Sequence, residues 1–153
     1  MADISVAIAS DHAGFEQKKQ LVEWMLLAMY DVHDLGPYGD AKVDYPDFAA
    51  RVAAEISSGM TTFGILLCGT GIGMAIAANK FSGVRAANAL TPEFAQLARE
   101  HNNANIITLS SRFVDFETNK QIVKAFLATE FGQGRHADRL AKIILIEEEL
   151  KKA

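Results

Sequence analysis

In 153 residues the chain has one cysteine, three prolines and one tryptophan. A lone thiol excludes an internal disulfide and a thiolate metal site, and it fits a reducing, cytoplasmic setting. Excess positive charge is also missing: 15 Lys and Arg stand against 19 Asp and Glu, a net charge of −4. That balance argues against non-specific nucleic-acid binding and against a polybasic membrane anchor. An anionic ligand must therefore be held by locally clustered arginines. No apolar run reaches the length needed to cross a bilayer. The opening "MADISVAIASDHAG" lacks the pattern of a secretory leader. The four histidines, His12, His33, His101 and His136, show neither H-x-x-x-H nor paired-carboxylate spacing, so no metal is expected. Linkers, repeats and low-complexity stretches are absent too, and a single domain over residues 1–153 is expected.

What is present is an alternation of short β-branched runs with longer stretches of helical period, the mark of a parallel sheet covered on both faces. Strands are predicted at Ile4–Ser10, Tyr30–Leu35, Phe63–Cys68, Gly83–Asn88 and Asn105–Ser110. Helices are predicted near Gly14–Met29, Pro46–Ser58, Ile72–Asn79, Pro92–His101, Phe116–Thr129 and, last, about His136–Lys151. Pro46 and Pro92 fall where helices start, and Pro37 falls in the "LGPYGD" loop. In such a sheet ligands collect beyond the carboxyl ends of the strands. There the chain reads "DHAG", "CGTGIG", "NALTPE" and "SSR" after strands one, three, four and five.

The cysteine stands in "GILLCGTGIGMAIAANK", residues 64–80, at the end of an apolar run and before Gly69, Gly71 and Gly73. A dinucleotide fingerprint is a poor match, because the loop follows the third strand and Met74 takes the place of the third glycine. A turn of this kind still gathers backbone N–H groups at a helix N-terminus, where they can hold negative charge. Cys68 is then either a small buried hydrophobe or a thiol of lowered pKa, and Thr70 either a helix cap or a second polar group of the same turn. Asp11 reads as a cap or as a polar ligand. His12 opposes the helix dipole when charged, so a nearby anion would account for it. His101, in "REHNNANI", suits a helix C-terminus. Arg135 and Arg139, four apart in "GQGRHADRL", sit on one face of a helix start, where cations conflict with the dipole unless they clamp a phosphate.

Taken together, "ASDHAG", "DYPDFA", "CGTGIGMAIAANK", "REHNNANI" and "GRHADRLAKI" resemble the ribose-5-phosphate isomerase B and galactose-6-phosphate isomerase family. The resemblance implies a three-layer α/β/α Rossmann-like sandwich with a five-stranded parallel sheet. It also implies a homodimer or dimer of dimers with shared active sites, and an aldose–ketose isomerase that needs no cofactor. By the same resemblance Cys68 is the base moving a proton between C1 and C2, and Thr70 assists at the oxygens. His101 opens the furanose ring, and Asp11 and Asn102 orient hydroxyls. The backbone of Gly69, Gly71, Ile72, Gly73 and Met74 holds the enediolate, and His12, Arg135, Arg139 and Arg112 hold the phosphate. His101, Asn102 and Arg112 are expected from the neighbouring subunit. The segment Asn88–Phe94 lacks a cysteine and a tyrosine that many relatives carry, while the "GRH" signature leans toward ribose 5-phosphate: the resemblance implies interconversion of ribose 5-phosphate and ribulose 5-phosphate, with allose 6-phosphate or galactose 6-phosphate as the alternative substrate. A nucleotide-binding module is the alternative of another class, and a phosphoacceptor domain is disfavoured because Cys68 stands where its acid belongs.

Overall fold

A computed structural model describes residues 4–153. The elements are β1 (Ser5–Ser10), α1 (Phe15–Leu27), β2 (Asp31–Asp34), α2 (Tyr45–Ser58), β3 (Phe63–Cys68), α3 (Ile72–Ala78), β4 (Ala86–Asn88), α4 (Pro92–Asn102), β5 (Ile106–Ser110), α5 (Phe116–Ala128) and α6 (Arg135–Lys151). The strands form one five-stranded sheet in the order β2-β1-β3-β5-β4, and every neighbouring pair is parallel.

Both faces of the sheet are buried, so the strands read as continuous apolar runs and sort their side chains by alternation. Val6, Ile8, Ile65, Leu67, Ile107 and Leu109 form one core with α1, α4 and α5. Ala7, Ala9, Leu66, Cys68 and Ile106 form the other, with α2 and α3. Small residues on that second face, Ala7 and Ala9 against Ala49 and Ala53, let α2 approach the sheet closely. Helix ends carry their own signals. Thr91 and Asp115 cap α4 and α5 by accepting from Phe94 N and Thr118 N, and Asn103 ends α4 in the left-handed region at φ 47°.

Most predicted elements differ from the observed ones by a residue or two at their ends. The exception is β4, which begins at Ala86 and not at Gly83. Gly83 turns the chain at φ 76°, and two asparagine side chains take the bonds a longer strand would have used. Asn105 accepts from Arg85 N and donates to Gly83 O, while Asn79 accepts from Ala86 N and donates to Ala86 O.

Parallel strands share one carboxyl end, and each connecting helix runs back the other way. Asp11, Cys68, Asn88 and Ser110 are therefore gathered at the carboxyl end of the sheet. His101 and Asn102, in the last turn of α4, lie at the amino end. The start of α6 docks beside them, where Gly132 N donates to Glu100 O at 2.8 Å. Beyond that point α6 is largely unsupported: Leu140 is its one buried residue, while Ile143, Leu145, Ile146 and Leu150 are exposed.

Candidate active site

Strand order reverses between β1 and β3, and their carboxyl ends flank the crevice where open α/β sheets bind ligands. Three loops are tied together there. Asp11 N donates to Leu67 O, Ser110 Oγ donates to Gly69 O, and Ser111 Oγ lies 2.9 Å from both Ala13 O and Cys68 O. Arg112 N donates to Gly69 O at 3.1 Å. Its exposed guanidinium lies over Gly69, 3.1 Å from where a Cβ would stand.

Cys68 is 5% exposed, and its Sγ accepts the Gly71 N–H at 3.0 Å. Gly71 reaches it by taking φ 80°, with Asn88 Oδ1 and the Leu109 backbone packed where a side chain would be. Ile72 N donates to Thr70 Oγ1 at 3.2 Å, so Thr70 supports the turn and its hydroxyl hydrogen stays available to a ligand. The N–H groups of Gly73 and Met74 open α3, where no carbonyl precedes them in helical register, and they have no partner among the described residues. The Met74 side chain itself is core, fully buried. Tyr45 closes the other side: a Cβ on Gly73 would fall 2.7 Å from its ring and 3.1 Å from its hydroxyl.

Asp11, 7% exposed, accepts the N–H groups of Ala13 and Gly14 with Oδ1 at 2.9 and 3.1 Å. The capping role is thus present, and Oδ2 is left for a ligand. His12 is fixed through Nδ1, which lies 3.2 Å from Val43 O and 3.3 Å from Val43 N, leaving Nε2 unused. Val43 ends a loop pinned from below by Lys18, which is 1% exposed. Lys18 Nζ bonds Asp34 Oδ1 at 2.6 Å and Pro37 O at 2.8 Å.

A second cluster sits at the amino end of the sheet. The rings of His101 and His136 are stacked, with centroids 4.2 Å apart and planes 13° from parallel. The exposed Arg135 and Arg139 stand beside them on α6. Desolvation, followed by the charges of His101, Arg135 and Arg139, holds His136 below the ordinary imidazole range against the pull of Glu100. Asn102 lines a mainly apolar groove of about 780 Å³ between α6 and the β4 edge, which no residue from Cys68 to Met74 touches.

The candidate residues thus fall into two groups in one chain. Asp11, His12, Cys68, Thr70, the 69–74 backbone and Arg112 lie at one end of the sheet, and His101, Asn102, Arg135 and Arg139 at the other. This sorting differs from that implied by the resemblance, in which Arg112 travels with His101 and in which the two α6 arginines share a chain's site with His12. The cause is the parallel topology: Arg112 follows a strand, whereas Arg135 follows a helix that has run back. Sequence reasoning missed Tyr45, Asn88 and Lys18. The signal for the first two was present in Gly73 and Gly71, whose missing side chains mark where another group comes close. Among the described residues no cluster of three or more His, Cys, Asp or Glu could hold a metal, and no helix is long and apolar enough to cross a membrane.

Fold and site together define an open, parallel α/β protein with a thiol and a cradle of amide donors at its switch point. Residues 6–143 match the Ribose/Galactose Isomerase family. The chain is 48% identical over 147 residues to a probable ribose-5-phosphate isomerase B of Mycoplasma genitalium, covering 95% of this chain and 97% of the relative. It is 41% identical to ribose-5-phosphate isomerase B of Escherichia coli, covering 94% and 96%. The crystal structure of the M. genitalium ribose-5-phosphate isomerase B with bound ribulose 5-phosphate superposes with a TM-score of 0.93 at 46% identity, over 97% of this chain and 99% of that one. The chain belongs to the Ribose/Galactose Isomerase family.

Proposed function

We infer that the chain is an aldose–ketose isomerase that interconverts ribose 5-phosphate and ribulose 5-phosphate. The observation that carries this reading is the buried Cys68 thiol, bonded by the Gly71 N–H at 3.0 Å, at the edge of a turn with two further amide donors that have no partner among the described residues. A base next to fixed donors is what proton transfer beside a carbonyl requires.

In the ring-opening step His101 takes the proton from the anomeric hydroxyl. The O1–H electrons become the second C1–O1 bond, the C1–O4 bond breaks, and O4 receives the proton from the imidazolium. The Cys68 thiolate then removes the C2 proton, and charge moves onto O1, where the amide donors of the cradle receive it. The thiol returns the proton to C1 as the C2–O2 carbonyl forms, while Thr70 relays the O2 proton to O1. Asp11 and Asn102 orient hydroxyls, and His12, Arg112, Arg135 and Arg139 hold the phosphate.

One chain cannot bring these groups together, since Cys68 and His101 lie at opposite ends of the sheet. Helix α4 has 11 residues and so spans about 16 Å. The site is therefore composed of the Cys68 end of one subunit and the His101 end of another, and the exposed apolar side chains of α6 supply surface for that association. A coupled assay across five- and six-carbon sugar phosphates tests the substrate. Turnover of ribose 5-phosphate is expected to exceed that of allose 6-phosphate and galactose 6-phosphate. The reverse order would transfer the reading to a six-carbon isomerase.

A further inference from the structure

The stacked pair His101–His136 is the one cluster of titratable side chains near the proposed machinery to which no role has been given beyond His101 itself. At 4.2 Å between centroids and 13° between planes, the rings meet face to face. In near-parallel stacked rings the nitrogens lie in the ring planes, and neither ring hydrogen-bonds the other. What passes between them is contact and charge. A neutral ring tolerates a cation above it, whereas two stacked imidazolium ions repel.

The surroundings sharpen this constraint. Arg135 and Arg139 lie beside the pair on α6, and Glu100 beside it on α4. Arg99 of α4 faces the other way, over the Phe63 ring at 4.8 Å and donating to Thr129 O and Ala104 O. Asp138 of α6 and Glu130 of the preceding connection are exposed and hydrated. The His136 ring itself is partly covered and makes no side-chain hydrogen bond among the described residues. Its contacts are with His101 and with the segment that docks α6.

We propose that His136 is a positioning residue for His101: its ring, stacked face to face, fixes the plane of the ring-opening imidazole. The proposal rests on the reading of His101 as the ring-opening group. Desolvation and the cationic neighbours hold His136 below the ordinary imidazole range, which favours the uncharged ring as a flat stacking surface. Held in that plane, His101 takes the proton from O1 of the closed sugar and gives it to O4 as the C1–O4 bond breaks.

The test uses the full-length enzyme with His136→Phe, His136→Ala and, as control, His101→Ala. kcat and KM are read separately on cyclic ribose 5-phosphate. His136→Phe keeps a flat ring without a titratable group, so its kcat and KM are expected to stay within about threefold of those of the intact enzyme. His136→Ala loses the stacking surface, so kcat is expected to fall about tenfold with KM nearly unchanged, and His136→Phe should recover most of that loss. An undiminished kcat in His136→Ala, or a loss that His136→Phe does not recover, beside an inactive His101→Ala, would overturn the proposal and leave the role of His101 standing. Full-rate opening of the cyclic sugar by His101→Ala would overturn both.

Discussion

The Gly71 amide donates to Cys68 Sγ at 3.0 Å, three residues along the chain and across the turn that starts α3. The same backbone conformation that aims this N–H at sulfur, φ 80° at Gly71, leads directly into the N–H groups of Gly73 and Met74, which have no partner among the described residues. One glycine thus sets both the hydrogen bond to the thiol and the start of the amide cradle.

Replacement of Cys68 by alanine is expected to lower kcat by about 10²-fold to 10⁴-fold while KM changes little, because the lost group acts in the transition state. Deuterium from solvent should enter C2 of the sugar with the intact enzyme and not with this variant, as followed by NMR of the recovered substrate. Continued exchange at near-normal rate would reduce Cys68 to a packing residue.

Gly71→Ala puts a Cβ 2.6 Å from Asn88 Oδ1 and 3.0 Å from the Leu109 backbone, at a φ that L-residues avoid. The conformation alone costs about 1–2 kcal/mol. Relief by backbone movement should also pull the N–H away from sulfur. Thermal melting should shift downward by several degrees, and activity measured well below the melting temperature should fall further than the folded fraction does.

Arg135→Ala and Arg139→Ala are expected chiefly to raise KM. A charge-assisted hydrogen bond is worth about 1.5–3 kcal/mol, or roughly tenfold to a hundredfold in affinity. Inhibition by inorganic phosphate should weaken in parallel, whereas in Cys68→Ala phosphate binding by calorimetry should be unchanged.

Mixing Cys68→Ala with His101→Ala subunits should restore activity. In a mixed dimer one site combines both lesions and the other combines both intact halves. With random exchange about a quarter of all sites are therefore whole. Verified mixed dimers without activity would show that the two residues do not share a site.

Lys18→Met leaves Asp34 without its cation and frees the loop that ends at Val43. Breaking a buried pair costs about 3–5 kcal/mol. The side chain of Asp34 is 30% exposed and can recover some hydration, so a loss of about 2–3 kcal/mol is expected from denaturant titration. His12 should lose its anchor with the loop, and KM should rise more than kcat falls.

Most of the fold was legible because each strand is short, apolar and bounded by turn residues. The one large displacement, at β4, came from Asn79 and Asn105, whose side chains reach across the chain to bind backbone that the local pattern assigns to a strand. Cys68 and its glycines were visible because their chemistry is local to a single turn. The contacts of Tyr45 and Asn88 were not, since each meets the loop from an element distant in sequence. The separation of His101 from Cys68 follows from topology alone, because a helix connecting two parallel strands must end where the next strand begins. Motif spacing carries no such information.

On the proposed shared site, a parallel sheet with working groups at both ends makes the solitary chain its own off state. A newly made chain then carries the thiol, the imidazole and the arginines but presents them to one sugar only after it meets a second copy. In dilute solution the initial rate should then rise with the square of chain concentration and become linear once pairing saturates. Dilution alone would switch the enzyme off without unfolding it.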